Sequence, residues 1–225
     1  YITTPKVSEA SATVSVETKL HGKPGNSSVT LLAEVYEPSG QMIGKTQQIL
    51  SPISDEKQTV NQNITVTNPK LWSVDEPHLY KVKVTISQNG KVLDERDTPF
   101  GIRSIHFDAQ TGFSLNGISM KLKGGCIHHD NGPLGAVAID RAEERKIKLL
   151  KKEGYNAVRI SHNPPSSELL DACDRLGMLV INEAFDMWER KKSPDDYHLY
   201  FNDWAEKDLQ SMILRDRNHP SIIMW

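Results

Sequence analysis

The sequence predicts an immunoglobulin-like β-sandwich over residues 1–103, followed by the first half of a TIM (β/α)8 barrel over residues 104–225. Three observations predict this multidomain arrangement of a β part and an α/β part. Apolar and polar residues alternate with period two in the first hundred residues, and strand-like and helix-like segments alternate strictly after them. The second part has roughly 120 residues, about half of the 250 that a complete barrel needs.

In the first part, the period-two runs are those of strands with one face in water. The clearest run carries Tyr80, Val82, Val84 and Ile86; others carry Ala12, Val14 and Val16, then Leu31, Ala33 and Val35, then Val60, Ile64 and Val66. Turn signals separate the runs at 22–25 and 38–40, and Asn89-Gly90 is a strong two-residue hairpin signal. Many short, evenly spaced strands predict a sandwich, with Trp72 in its core.

In the second part, four strands alternate with three helices. Strands are predicted at 120–128, 156–160, 178–181 and 221–225, with a small hairpin at 115–117, and helices at 140–153, 166–176 and 202–215. Asp140 and Glu143 have the spacing of a capping box. Pro164-Pro165 and Gly177 delimit the second helix, and Ala205, Leu209, Met212 and Ile213 form the inward side of the third. Continuous apolar strands joined through helices predict a parallel sheet.

Polar residues follow the predicted strands where those strands end. His128 ends the first strand, Arg159 lies in the second with His162 just past its end, and Asp186 follows the third. Because strand ends converge at one mouth of a barrel, these residues are expected to line a pocket for a polar, hydroxyl-rich substrate. The alternative is that each of them satisfies loop backbone or a neighbouring residue.

Two further residues, Arg159 and Trp188, leave more than one interpretation open. Arg159 is expected to be buried inside an apolar strand and so requires a partner, for which Glu183 is the obvious carboxylate. The ion pair would be functional or purely structural, and Asn182 and Glu183 are expected to support the site structurally. Trp188 would stack on a sugar or belong to a core.

Metal and cofactor chemistry is not expected. His128, His129, His162 and Asp186 lack tight zinc-like spacing, so no metal is predicted. No glycine-rich phosphate loop follows any strand, which argues against a nucleotide cofactor. Asp216, Arg217 and His219 precede a strand and are interpreted as stability elements of the opposite barrel face. Cys126 and Cys173 are interpreted as buried thiols.

Composition excludes several classes of protein. The chain of 225 residues is 25% charged with a formal net charge of −2, which argues against nucleic-acid binding. No apolar run reaches membrane-spanning length, so no membrane partner is expected. Both ends look cut, which predicts a segment of a longer protein. Any export signal would lie upstream, and a periplasmic or secreted parent is favoured over a cytoplasmic one.

Three groups of residue strings carry a resemblance to a known family. The first group consists of Asn68-Pro69, Leu71-Trp72-Ser73, Pro77, Leu79-Tyr80 and Phe100-Gly101-Ile102-Arg103, and it resembles the end of the sandwich domain in glycoside hydrolase family 2. The string Asn156-Ala157-Val158-Arg159 with Ser161-His162, and then Asp174, Gly177 and the run to Glu183, is similar to its barrel signature. The run from Asp216 to Trp225 resembles the approach to its catalytic acid/base.

The resemblance implies a retaining exo-glycosidase, most similar to the β-galactosidases, with a β-galactoside as its carbohydrate substrate. Its two catalytic glutamates would lie beyond Trp225, so the segment alone is expected to be inactive. His128, Arg159 and His162 match positions of the substrate pocket, and Asp186 and Trp188 become candidates for sugar contacts. The stretch after Glu183 lacks the Glu and His of the magnesium site found in some bacterial β-galactosidases, so no metal dependence is implied.

Three alternatives remain. Within the family, the parent would be a β-glucuronidase or a β-mannosidase. From another class, the sandwich would act as a non-catalytic carbohydrate-binding or adhesion module. The half-barrel would have an open edge and an uncovered apolar inner face, so self-association of the segment is expected unless the remainder of the barrel covers it.

Overall fold

The computed structural model describes residues 1–22, 27–51 and 57–225, and it has a β-sandwich part followed by a partial TIM barrel. The chain forms two compact units, one of residues 1–72 with 78–104 and one of residues 73–77 with 105–225. Residues 73–77 thus belong to the second unit, although they fall inside the predicted sandwich. The domain division at residues 103 and 104 stays a prediction. The predicted turn at 22–25 lies mostly outside the described residues.

The first unit consists of two antiparallel sheets. One has the strand order β1-β2-β5 and the other β4-β3-β6-β7. The strands are β1 (Ile2–Val7), β2 (Ser11–His21), β3 (Val29–Tyr36), β4 (Met42–Leu50), β5 (Lys57–Thr67), β6 (Tyr80–Gln88) and β7 (Lys91–Phe100). The predicted alternation is confirmed in β2 and β3, where Val14, Val16, Leu31 and Val35 are buried while their neighbours are not. In β6 it holds for Tyr80 and Val82, whereas Val84 and Ile86 are only partly buried.

The core of the first unit lies between these apolar faces, and Trp72 is fully buried. The Tyr80 and Phe100 rings pack with centroids 5.7 Å apart. The hairpin between β6 and β7 turns at Asn89-Gly90, where both residues have positive φ, at 50° and 77°. That conformation is the one a two-residue hairpin requires, so the hairpin prediction is confirmed.

The second unit begins with a small antiparallel sheet. Its strands are β8 (Ile105–Asp108), β9 (Gly112–Leu115) and β10 (Ile118–Ser119). The hairpin between β9 and β10 turns at Asn116-Gly117, as predicted, with φ of 53° and 79°.

A parallel sheet in the order β11-β12-β13-β14 follows, so each strand pairs with the next one along the chain. Helices connect the strands, as predicted for the first half of a barrel. The elements are β11 (Gly124–Ile127), α1 (Asp140–Lys152), β12 (Ala157–Ile160), α2 (Ser167–Leu176), β13 (Leu179–Ile181), α3 (Phe201–Asp216) and β14 (Ile222–Met224). Within the described ranges, no helix has the length and apolar character needed to cross a membrane.

The second helix follows its local signals closely. Ser166 caps α2 by accepting a hydrogen bond from the Leu169 backbone N–H at 3.2 Å, and Gly177 ends it in the left-handed conformation with φ of 70°. Leu169, Leu170 and Cys173 are buried against the sheet.

Three predictions about elements of the second unit are wrong. β11 begins at Gly124, so residues 120–123 do not belong to the strand. Asp140 does not cap α1; Ile139 occupies the cap, and the Glu143 carboxylate accepts from Asn131 and Lys146 instead. The inward side of α3 is less buried than its pattern indicates, because Leu209 is exposed and Met212 is its only buried apolar residue.

Candidate functional site

Strand register brings the polar residues of the barrel part to one face of the parallel sheet. Val158 and Ile160 of β12 pack on the helices, so Arg159 between them points to the opposite face. The Arg159 side chain is 44% exposed, which corrects the expectation of a buried guanidinium. The two larger apolar residues of the strand face the helices, and the smaller Ala157 shares the face of Arg159. Cys126 of β11 stands directly opposite Arg159 in the pairing and shares its face.

The carboxylate of Glu183 connects two of the predicted residues. One of its oxygens accepts from Arg159 Nε, and the other lies 2.9 Å from His162 Nδ1. Glu183 follows β13, Arg159 lies in β12 and His162 follows β12. The predicted partner of Arg159 is therefore the one that the structure shows.

His128 completes this group from the end of β11. Its ring meets the ring of His162 edge to face, with centroids 5.8 Å apart. The strand ends of β11, β12 and β13 thus bring His128, Arg159, His162 and Glu183 together, as the convergence of strand ends in a barrel predicts. We call these four residues the strand-end cluster.

Cys126 is a neighbour of the strand-end cluster that the sequence interpretation missed. Its thiol is exposed, which corrects the expectation of a buried side chain, whereas Cys173 is buried as expected. Arg159 Nη1 donates a hydrogen bond to Cys126 Sγ at 3.2 Å. The signal was present in the sequence: Cys126 lies two residues before His128 and so shares its face of the strand.

Asp186 and Trp188 make their contacts in the long connection between β13 and α3. Asp186 pairs with Lys192 at 3.3 Å, and Trp188, 64% exposed, stacks on Phe201 with centroids 5.8 Å apart. Phe185 stacks on Tyr197 in the same connection, at 4.8 Å. The structure therefore places these two predicted residues on an aromatic loop, in contacts different from those of the strand-end cluster.

A cavity of about 470 Å³ adjoins this loop. Asn163, next to His162, forms part of its wall, and the rest includes Phe185, Asp186, Tyr197 and Arg215. Most of its polar groups already have partners. The Tyr197 hydroxyl donates to Asp208 at 2.6 Å, and burial together with this carboxylate raises the pKa of Tyr197 to about 12.

Asn182 supports the sheet from inside the protein. Its side-chain amide donates to Asp216 at 3.2 Å, and both residues are buried. Asp216 also accepts from Arg215. These contacts are internal to the fold; the roles of Asp216 as a stability element and of Asn182 as a support of the site stay predictions.

One group of possible metal ligands occurs among the described residues, and it lies away from the strand-end cluster. Donor atoms of Asp171, Asp174 and His219 lie within 4.8 Å of one another. Asp174 already accepts from His219 Nδ1 at 2.6 Å and from the Ser221 backbone N–H at 3.0 Å. Its oxygens are therefore used in a hydrogen-bonded pair at the start of β14.

The chain has parallel strands joined by helices, a sandwich unit before them in sequence, and a histidine, arginine and glutamate group at the strand ends. Together these features define a barrel-type protein with a candidate site where the strands end. The chain belongs to glycosyl hydrolase family 2. The family model "Glycosyl hydrolases family 2" matches residues 1–103, and "Glycosyl hydrolases family 2, TIM barrel domain" matches residues 109–225.

Three relatives show how far the similarity extends. A β-galactosidase of Bacteroides ovatus is 43% identical over 226 aligned residues, which are 100% of this chain and 27% of the relative. The crystal structure of a family 2 member from Bacteroides cellulosilyticus is 50% identical with a TM-score of 0.98, over 100% of this chain and 29% of that one. A Bacteroides uniformis β-glucuronidase structure is 32% identical with a TM-score of 0.86, over 100% and 27%. The chain thus spans between a quarter and a third of the length of these relatives.

Proposed function

We propose that this chain is part of a longer retaining exo-β-glycosidase that hydrolyses terminal β-galactosides. The observation that carries the proposal is the Glu183 carboxylate, which bridges Arg159 and His162 where three strands end. Membership of the family and the name of the Bacteroides ovatus relative support the reaction and the sugar.

In this mechanism, the chain supplies the sugar pocket. Retaining glycosidases use two carboxyl groups about 5–5.5 Å apart, one as acid/base and one as nucleophile. By the family resemblance, both lie beyond Trp225. His128 and His162 would hydrogen-bond sugar hydroxyls, and these bonds would strengthen as the oxocarbenium-like transition state forms. Arg159 and Glu183 would hold His162 in place, while Asp186 and Trp188 would contact the sugar from the aromatic loop.

β-Glucuronidase is the second candidate, because the Bacteroides uniformis relative carries that name. A glucuronide has a carboxylate, which a site usually binds with a cation. In the strand-end cluster, the guanidinium of Arg159 is already paired with Glu183. This pairing favours a neutral sugar over a glucuronide.

A substrate panel on the full-length protein tests the choice of sugar. We expect the p-nitrophenyl β-D-galactoside to be turned over with a kcat/KM at least about tenfold above those of the matching glucuronide and mannoside. NMR of the first product should show the retained β-anomer. A preference for the glucuronide or the mannoside would replace the proposed substrate, and turnover of none of the three would contradict all three substrate assignments.

The role of the strand-end cluster is tested by Glu183→Gln in the full-length protein. Removal of the charge that holds Arg159 and His162 should lower kcat/KM about a hundredfold and alter its pH profile. The matched control is Glu144→Gln, which breaks the ion pair with Lys148 on α1 and should leave both unchanged. Equal effects of the two substitutions would contradict a role for Glu183 in the site.

The binding-module alternative has little support in the first unit. Sugar-binding faces need exposed aromatic rings, but Trp72, Tyr80 and Phe100 are buried, and Tyr36 packs beneath Lys81. Among the described residues of this unit, Tyr1 is the only exposed aromatic residue. Calorimetric titration of the full-length protein with galactose should therefore give binding that Glu183→Gln weakens; binding unaffected by that substitution would favour a separate module.

A further inference from the structure

Cys126 adds one residue of β11 to the strand-end cluster. The contacts run from β11 through β12 to Glu183 and back to His162: Cys126 Sγ to Arg159 Nη1 at 3.2 Å, Arg159 Nε to Glu183, and Glu183 to His162 Nδ1 at 2.9 Å. The guanidinium is therefore held from two sides. A planar guanidinium bound through two separate nitrogens has little freedom to rotate.

The two bonds to Arg159 have different consequences. Glu183 fixes the Nε side and supplies charge, whereas Cys126 fixes a terminal nitrogen on the side of β11. Without the sulfur, the guanidinium of Arg159 would keep its ion pair with Glu183 but could rotate about that contact. Glu183 also holds His162, so such a movement would shift the ring of that histidine.

We propose that Cys126 is a positioning residue of the candidate sugar site: its sulfur fixes Arg159, which in turn fixes Glu183 and His162. The inference rests on the proposed function for its effect on catalysis. The hydrogen bond between Cys126 and Arg159 can be tested without it.

A second observation indicates that the Cys126 thiol lies among polar groups. The Ser161 side chain is 2% exposed, and its hydroxyl has no hydrogen-bond partner of normal geometry in the described part of the chain. The hydroxyl lies close enough to Cys126 to act on its thiol. Ser161 and then Arg159 lower the pKa of the Cys126 thiol below its ordinary value, against opposing effects of burial and Glu183.

The kinetic test compares Cys126→Ala and Cys126→Ser in the full-length protein. Serine keeps an acceptor for Arg159 and alanine does not, so kcat/KM on the preferred glycoside should fall about tenfold in the alanine variant and within about threefold in the serine variant. The loss should appear mainly in kcat, with a changed pH profile. Unchanged kinetics in Cys126→Ala, or equal losses in both variants, would overturn the proposal.

The thiol test needs no catalysis, and it follows the peptides of Cys126 and Cys173 in the full-length protein. The rate of alkylation by iodoacetamide is followed against pH by mass spectrometry, since only the thiolate reacts. Cys126 should react with a midpoint below that of free cysteine, and Arg159→Gln should raise the midpoint. Buried Cys173 should stay unmodified, which reports that the fold is intact.

An unchanged midpoint in Arg159→Gln would overturn the proposal even if the parent is an active glycosidase. A raised midpoint in a parent without activity would contradict the proposed function and leave the link between thiol and guanidinium supported.

Discussion

Asp174 and His219 form a largely buried ionisable pair in the second unit. His219 Nδ1 lies 2.6 Å from an Asp174 oxygen, and the other oxygen accepts from the Ser221 backbone N–H. Burial disfavours a charged imidazole, but the hydrogen bond and charge of Asp174 outweigh it, with smaller effects of Asp171 and Asp216. The pKa of His219 is therefore raised, and the pair fastens the end of α2 to the start of β14.

This raised pKa predicts a stability that falls with pH. An unfolded histidine has a pKa of about 6.5, so the stabilisation is complete below that pH and is lost as pH rises through the higher folded value. Urea unfolding of the chain at several pH values between 6 and 8.5 should show the decrease.

Asp174→Asn should flatten that dependence, because asparagine keeps an acceptor for Ser221 but removes the charge beside His219. Asp171→Asn is the matched control, since its oxygen lies 4.0 Å from His219 Nδ1 and it should change the pH dependence less. A free energy of unfolding that stays constant across this range in the unsubstituted chain would contradict the assignment.

Single residues also show what the sequence could predict. The strand ends, the pairing of Arg159 with Glu183 and the nearness of His128 to His162 follow from strand order alone. The exposure of Cys126 and Arg159 did not follow, because a mostly apolar strand of a parallel sheet indicates burial on both faces and does not single out its exposed residues. The contacts of Asp186 and Trp188 depend on a loop of irregular backbone, for which the sequence has no periodicity to read.

At the scale of elements, helix ends were predictable where their signals are local. Ser166 and Gly177 delimit α2 through bonds to neighbouring residues. The expected capping box of α1 failed because Glu143 is buried and bonds to Asn131, twelve residues away along the chain. A tertiary partner therefore replaced a local one.

Gly177 has a second role, as the contact point for the segment 73–77. A side chain there would meet the carbonyl groups of Val74 and Ser73. Lys151 of α1 donates to the carbonyls of Val74 and Gly177 at 2.8 Å and 3.2 Å. The segment is thereby fastened to the helices of the second unit.

Gly177→Ala should consequently destabilise the second unit strongly. The left-handed conformation costs a non-glycine residue about 1–2 kcal/mol, and the collision with Val74 should bring the total to about 3 kcal/mol or more. Gly154→Ala is the matched control, with φ of 85° and open space around the added carbon, and should show the conformational cost alone. Equal destabilisation of the two variants in urea unfolding would contradict the packing of 73–77 at this point.

At the scale of the whole molecule, the second unit exposes many large apolar side chains. They include Trp204, Leu214 and Met224, which are 50%, 46% and 40% exposed. β11 and β14 are the edges of the parallel sheet, and an uncovered edge offers unpaired backbone groups to another chain. The sheet face opposite the helices is less open than expected, however, because Leu179 and Ile223 are buried.

These exposed edges predict that the 225-residue chain self-associates, with β14 as the contact. Size-exclusion chromatography with light scattering should show a mass that rises with protein concentration. Met224→Lys should reduce the association, because a lysine on an edge strand opposes edge-to-edge pairing. Leu149→Lys on α1 adds the same charge at a site of similar exposure, 44% against 40%, and should have little effect.

A constant monomer mass over about a hundredfold range of concentration would contradict self-association, since mass action requires the dimer to appear. Equal effects of the two lysines would indicate that net charge, and not the β14 edge, controls it.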